Sequence, residues 1–484
     1  MPGTAPPAEA ALARVALVAE TGLPRAARLL GATGLDVPPE FNGRDYAIFL
    51  LQVAAEIEHS LLAQYLFAAY SLGGPDVPRE RFTDVRAWQE TILGIAKEEM
   101  GHLITVQNVL TVLGAARHFQ RDDYPNSNPL YPFSFRLEPL GLDSLAAYIC
   151  AESPAKWDDE EAREIKARAQ AEVGAPVNRV GALYTQLIAL LKDFTTVPDS
   201  AFQPATVAFQ PTWDEWGRGY REGQRGAEAM RVLDLPAPEL LILPVDSRTA
   251  VVTALQEIAK QGEGLDLPPD ENGSHFQRFL TVYRGLKQLG DDVRPVVRPL
   301  ATNPTAGSVE GGDPADRDST TPITHPEAVL WAHLFNVRYR KLLVNLSHAF
   351  ELADDPTDRT TLTPRGALIH HIFSEMYNLR ALSGLLVRLP VSTDRPDGHR
   401  AGPPFQMPYS LTLPSMEADR WRLHRDLLDA AERLITQLQG VTAAGDGQDY
   451  LTALQQWDQI ERGHVEQLIA APVAAGTTRG GPTS

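Results

Sequence analysis

The chain has 484 residues, 43% of them hydrophobic, and its 44 Lys and Arg against 62 Asp and Glu give a formal net charge of −18. That length buries one large core or two ordinary ones, while the acidic balance, with no basic stripe, excludes nucleic acid as a partner. Cys150 is the single cysteine, so neither an intramolecular disulfide nor a thiolate metal cage can form within one chain.

Residues 1–39 read as a ragged tail with a helical candidate at 11–30, lacking the basic flank and apolar core of a signal peptide. No run approaches the roughly 18 consecutive apolar residues of a spanning helix. The expectation is a cytoplasmic protein with no membrane partner.

Long helical periods occupy 45–72, 84–113, 177–194 and 247–262, with shorter candidates at 143–170 and 274–289. Four long helices predict a bundle, and strand-type alternation is too sparse for a sheet. The Pro-interrupted apolar stretches at 131–150 and 230–246 read as crossovers over the bundle ends, where they are candidates for a pocket wall.

The first long helix carries Leu51, Ala54, Glu58, Leu61, Tyr65 and Ala68 at steps of three or four, which lines them up on one face. Glu58 thus sits inside an apolar stripe, where an unpaired carboxylate costs several kcal/mol, as an estimate. The second helix repeats the pattern with Trp88, Ile92, Ile95, Glu99, His102, Val106 and Val109. A Glu and a His one turn apart offer an oxygen and a nitrogen to one ion, and facing helices that do so can enclose one metal or a carboxylate-bridged pair. A buried hydrogen-bond network is the competing explanation. Glu56 and Glu98 fall off the stripes and read as more exposed. Tyr65 fits either a hydrogen bond to a carboxylate or ordinary core packing.

The fourth long helix ends in Gln261-Gly262-Glu263-Gly264, with His275 eleven residues beyond Gly264. Glycines permit close backbone approach or a left-handed cap. Glu263 and His275 therefore form either a second ligand pair or a cap and a surface histidine.

Residues 291–326 are rich in Pro, Gly, Ser, Thr and Asp and read as a linker. Beyond it, 327–475 holds four more helical segments, a second bundle or an elaboration of the first. Glu375, at the edge of the stripe Ile369, Ile372, Met376, Leu379, Ser383 and Leu386, could join His371, Glu461 and His464 in a further site. The alternative is a set of polar residues at an interface between domains or subunits.

The segments "AAEIEHSLLAQYLFAAYSL", "AKEEMGHLITVQNVLTVLGA", "PFSFRLEPLGLDSLAAYICAESP" and "EIAKQGEGLDLPPDENGSHFQRFLTVY" occur in this order. Together they resemble the ferritin-like domain of the iminophenyl-pyruvate dimer synthase family, over about residues 40–290 and more loosely toward 420. The resemblance implies an all-α chain, a ferritin-like bundle followed by a second mainly helical region. It implies metal-dependent oxidative coupling of aromatic imino acids in violacein- or rebeccamycin-type bisindole pathways, with an amino-acid oxidase as the biosynthetic partner enzyme.

Carried over by position, the metal ligands implied are Glu58, Glu99, His102, Glu263 and His275. Iron, as one or two ions, suits this mixed ligation and redox chemistry, with Mn or Cu as alternatives. Relatives often carry a glutamate just before Leu-Tyr on the third bundle helix, where this chain has Ala182. A complete dinuclear set would then need Glu172 or water in its place; a single metal or a lost activity are the other outcomes. The expected role is an iron-dependent oxidoreductase acting on a small aromatic substrate, against a noncatalytic metal-binding or scaffold protein in a biosynthetic assembly. Homo-oligomerisation is left open, and no mineral-storing shell or haem attachment is indicated.

Overall fold

The computed structural model describes residues 37–123, 130–212, 242–262, 273–290, 292–307, 320–354, 363–394, 398–407 and 411–470. The helical candidate at 11–30, most of the 230–246 crossover and Glu263 lie outside the described residues.

The first region contains α1 (Gly43–Ser71), α2 (Phe82–Val112), α3 (Leu142–Ala151), α4 (Glu160–Val173), α5 (Val180–Lys192), α6 (Arg248–Gly262) and α7 (His275–Lys287). The four long periods became α1, α2, α5 and α6, while the candidate at 143–170 divides into α3 and α4. Side-chain caps set several starts: the Asn42 carboxamide accepts from the Asp45 amide at 3.0 Å, and Asp159 caps α4. Such caps occupy amides that the first helical turn leaves without partners.

Helix α1 packs along α2 and α5, α6 packs along α5, and α3 and α7 pack together with α7 also against α2. By length and composition α1 could cross a membrane, yet 72% of its most apolar window is buried inside the protein. Its apolar surface is already used by the bundle. The chain is all-α apart from short pieces: among the described residues the strands are β1 (Pro304–Thr305) and β2 (Thr321–Pro322), which pair in parallel.

The described part of 291–326 does not hang free. Arg298 N donates to Ser71 O, Ala301 N to Arg400 O and Asn303 N to Leu137 O, each at 2.8 Å. Val296, Leu300 and Ala301 are buried.

The second region comprises α8 (Pro326–Ala349), α9 (Pro364–Leu386), α10 (Glu417–Val441) and α11 (Asp446–Ala470). Helix α8 packs on α9 and α10, and α10 on α11. It meets the first region around α1. His59 Nε2 bonds the Tyr339 hydroxyl of α8, and Arg121 reaches the same hydroxyl at 3.4 Å and also the Phe405 carbonyl. A Cβ on Gly402 would lie 2.5 Å from the Phe67 ring, so only glycine allows this approach.

Candidate metal centre

The middle of α2 is enclosed on every side, with each residue from Glu98 to Val112 buried. Around Glu58, α1 is likewise buried from Ile57 to Leu61. At this depth polar side chains must satisfy one another, because water does not reach them. The remaining groups arrive at helix ends. Glu152 is the C-cap residue of α3. His275 is the first residue of α7, placed there by a capping box between Ser274 and Gln277.

Glu99 is the hub. Its Oε2 lies 3.0 Å from His102 Nδ1 and its Oε1 lies 3.0 Å from His275 Nδ1. Glu58 Oε2 stands 3.5 Å from His102 Nδ1, and Glu152 Oε2 stands 3.8 Å from His275 Nδ1. Two buried triads result, Glu58–Glu99–His102 and Glu99–Glu152–His275, whose ligand atoms within each triad lie within 4.8 Å of one another. The two imidazoles stack with centroids 5.4 Å apart.

An outer layer fixes these groups. Tyr184 of α5 donates to Glu58 Oε1, and Tyr65 of α1 donates to Glu152 Oε1 at 2.8 Å. His102 Nε2 contacts Gln261 Oε1 at 2.9 Å. His275 Nε2 contacts Glu98 Oε2 at 2.8 Å, and Arg278 grips the same carboxylate through both terminal nitrogens. Carboxylate–histidine pairs of this kind orient an imidazole whose other nitrogen is free to ligate.

Electrostatically the cluster is strained without a cation. Burial, then the neighbouring Glu99, pushes the Glu58 carboxyl up to about 8. Burial also opposes ionisation of Glu99, but His275 and His102 hold it well below the usual carboxylate range. Burial disfavours the charged form of His102, yet Glu58 and Glu99 raise it to about 10. Among the described residues, buried Glu58 Oε2, Glu99 Oε1 and His275 Nδ1 make no well-aligned hydrogen bond, although the last two face each other at 3.0 Å. These atoms belong to the triads, and their oxygen and nitrogen donor set suits iron or manganese. The cavity among them is about 10 Å³, lined by Glu58, Glu99, His102, Glu152 and Tyr184, with Gly262 at its edge. A Cβ on Gly262 would lie 3.1 Å from Glu152 Oε2, so the glycine lets the end of α6 approach the carboxylate. The residues present therefore fit a metal.

Of the ligands expected from sequence, Glu58, Glu99, His102 and His275 converge, and Glu263 lies outside the described residues. One expectation is corrected, and two of the alternatives left open do not hold. Glu98 is not exposed: α2 is buried all round at this level, and His275 and Arg278 hold the carboxylate, against the effect of burial, down to about 2. Glu172 does not complete the site, because its carboxylate pairs with Arg136 at 3.1 Å. His275 is fully enclosed rather than a surface histidine.

Glu152 was missed. Leu145, Tyr148 and Glu152 share one face of a short apolar helix, and an acid ending such a face is the signal that points to it. It supplies a carboxylate although Ala182 cannot, and Tyr184, two residues or about half a turn further along α5, lines the cavity instead.

The second region shows a different use of buried charge. Arg338 Nη1 donates to Glu375 Oε1 at 3.1 Å and to Asp458 Oδ1 at 2.8 Å. Lys341 Nζ donates to Glu375 Oε1 at 2.7 Å and to Glu461 Oε2 at 2.5 Å. His371 Nδ1 lies 3.3 Å from Glu461 Oε1, while His464 is exposed. The suggested further metal site at Glu375, Glu461 and His464 is thus corrected, because protein cations already occupy its carboxylates inside the bundle.

Residues 51–284 match the family model described as ferritin-like. This chain carries a ferritin-like domain. Dichlorochromopyrrolate synthase of Lentzea aerocolonigenes is 27% identical over 389 residues, an alignment covering 74% of this chain and 35% of that protein. The chain thus spans about a third of the length of the curated relative that it matches. A crystal structure of a ferritin-like protein from Caulobacter vibrioides aligns at 16% identity with a TM-score of 0.38, over 68% of this chain and 95% of the other. The family match and the synthase together support the resemblance to ferritin-like dimer synthases.

Proposed function

We propose that the chain is a metal-dependent oxidative coupling enzyme of secondary metabolism, acting on an aromatic amino-acid-derived imine. The observation that carries this reading is Glu99, one carboxylate shared between two buried carboxylate–histidine triads, the arrangement that a carboxylate-bridged metal pair requires. The name of the synthase relative supports the substrate class.

Glu58, Glu99, His102, Glu152 and His275 would hold the metal, which when bound would supply the redox chemistry of the coupling. The rest of the work belongs to the chain. Tyr184 and Tyr65 each hold one carboxylate oxygen, leaving the other free for ligation. Glu98 fixes the His275 ring through Nε2 so that Nδ1 faces Glu99. The enclosing helices keep bulk water from the reacting groups.

A second reading, a noncatalytic metal-binding or scaffold protein, is favoured by one observation. The cavity of about 10 Å³ is at the limit for a single water and cannot admit an aromatic substrate without movement. The test is to load the full chain with iron or manganese and supply the imine of indole-3-pyruvate from an amino-acid oxidase. Coupled product should form with consumption of oxygen and be lost in Glu99→Ala. Tight metal binding without turnover of any aromatic imine would favour the noncatalytic reading, and absence of metal binding would exclude the metalloenzyme and leave the scaffold.

A further inference from the structure

A separate cavity of about 150 Å³ lies between the two helical regions, lined by Tyr70 of α1, Gln89 and Leu93 of α2, Arg298 of the connecting segment, and Arg380 and Arg388 of α9. Three arginines line it, and among the described residues no carboxylate does, in a chain of net charge −18. We propose that this cavity binds a small oxyanion, a phosphate or a carboxylate, held between the ferritin-like region and the second region.

Arginines gathered without acids repel one another and are stabilised by an anion that accepts from their planar forks. Among the described residues, neither Arg298 nor Arg380 forms an ion pair with a carboxylate. Arg388 approaches only Asp446, at 3.8 Å and at the open surface. Arg298 is anchored in position, since its Nη1 donates to the Tyr70 carbonyl at 3.1 Å and to the Leu72 carbonyl. Burial, and then the nearby Arg388, lower its affinity for its own proton. Leu93 and Tyr70 add an apolar wall suited to a small organic acid.

The cavity is distinct from the metal centre. Tyr70 follows Glu58 by twelve residues on α1, about 18 Å of helix. An anion seated there would tie α9 to α1 and α2.

Calorimetric titration of the full chain with inorganic phosphate, and separately with benzoate, tests this. At least one should bind at a single site, weakened about tenfold or more by Arg380→Gln and lost in Arg380→Gln/Arg388→Gln. Both residues are exposed, so the melting temperature should not move. Arg422→Gln, at an exposed pair with Asp419 on α10, should leave binding unchanged. Binding of phosphate alone assigns the site to phosphorylated ligands, and binding of benzoate alone assigns it to organic acids. Binding of neither, or equal weakening by Arg422→Gln, overturns the proposal.

Discussion

Glu99 on α2 and His275 at the start of α7 meet at 3.0 Å, and the other oxygen of Glu99 lies at the same distance from His102. Each half of the carboxylate therefore serves a different triad. Glu99→Ala should abolish metal retention altogether, whereas Glu152→Ala, which removes a ligand from one triad only, should leave about half of a content of about two ions per chain. Elemental analysis of purified protein checks this, and equal losses in the two variants would contradict the shared role.

Glu98 acts through His275. Glu98→Gln keeps the shape but weakens the grip of Arg278 and the orientation of the ring, and such outer residues change metal affinity by about 10–100-fold. Competition against a metallochromic chelator should show that loss with helix content unchanged by circular dichroism.

The second region depends on Lys341, which is fully buried between Glu375 and Glu461. Lys341→Met leaves Glu375 with Arg338 alone and Glu461 with no cation but the neighbouring His371, and should destabilise by about 3 kcal/mol, seen as a lower denaturant midpoint for unfolding of the full chain. Replacing Lys341, Glu375 and Glu461 together with apolar residues should recover much of that loss.

Acid should unfold this region early. Burial drives His371 down to about 4 and lowers His348 and His424, while Glu417 and Arg420 act on His348 and Lys341 and Glu461 act on His371. Each ring binds a proton more readily in the unfolded chain, at about 6.5. Their contribution to stability is complete above about 6.5 and is lost as pH falls toward about 4. Melting temperatures across that window should fall, and the slope should flatten in His371→Gln/His424→Gln.

What could be read in the sequence follows from how each helix is enclosed. Glu58, Glu99 and His102 stood out because each interrupts an apolar stripe. Glu98 did not, because a stripe assumes one buried face and α2 has no exposed one at that level. Glu152 ends the apolar face of a short helix, a weaker signal than an acid inside a long stripe, and its importance comes from α7 arriving beside it. Glu375 sits at the edge of its stripe yet is buried, because Arg338 and Lys341 of α8, a basic pair that resembles a solvated face, turn inward to meet it.

Consecutive residues of α1 serve the two regions: Glu58 faces the metal centre, and His59 bonds Tyr339 on α8. One residue along a helix is a turn of about 100° about its axis. Rolling α1 to swing Glu58 away from Glu99 would tear His59 from Tyr339 in the same motion. The second region thus acts as a torsional brake on α1, and widening of the metal cavity by the other elements that line it leaves this bond untouched.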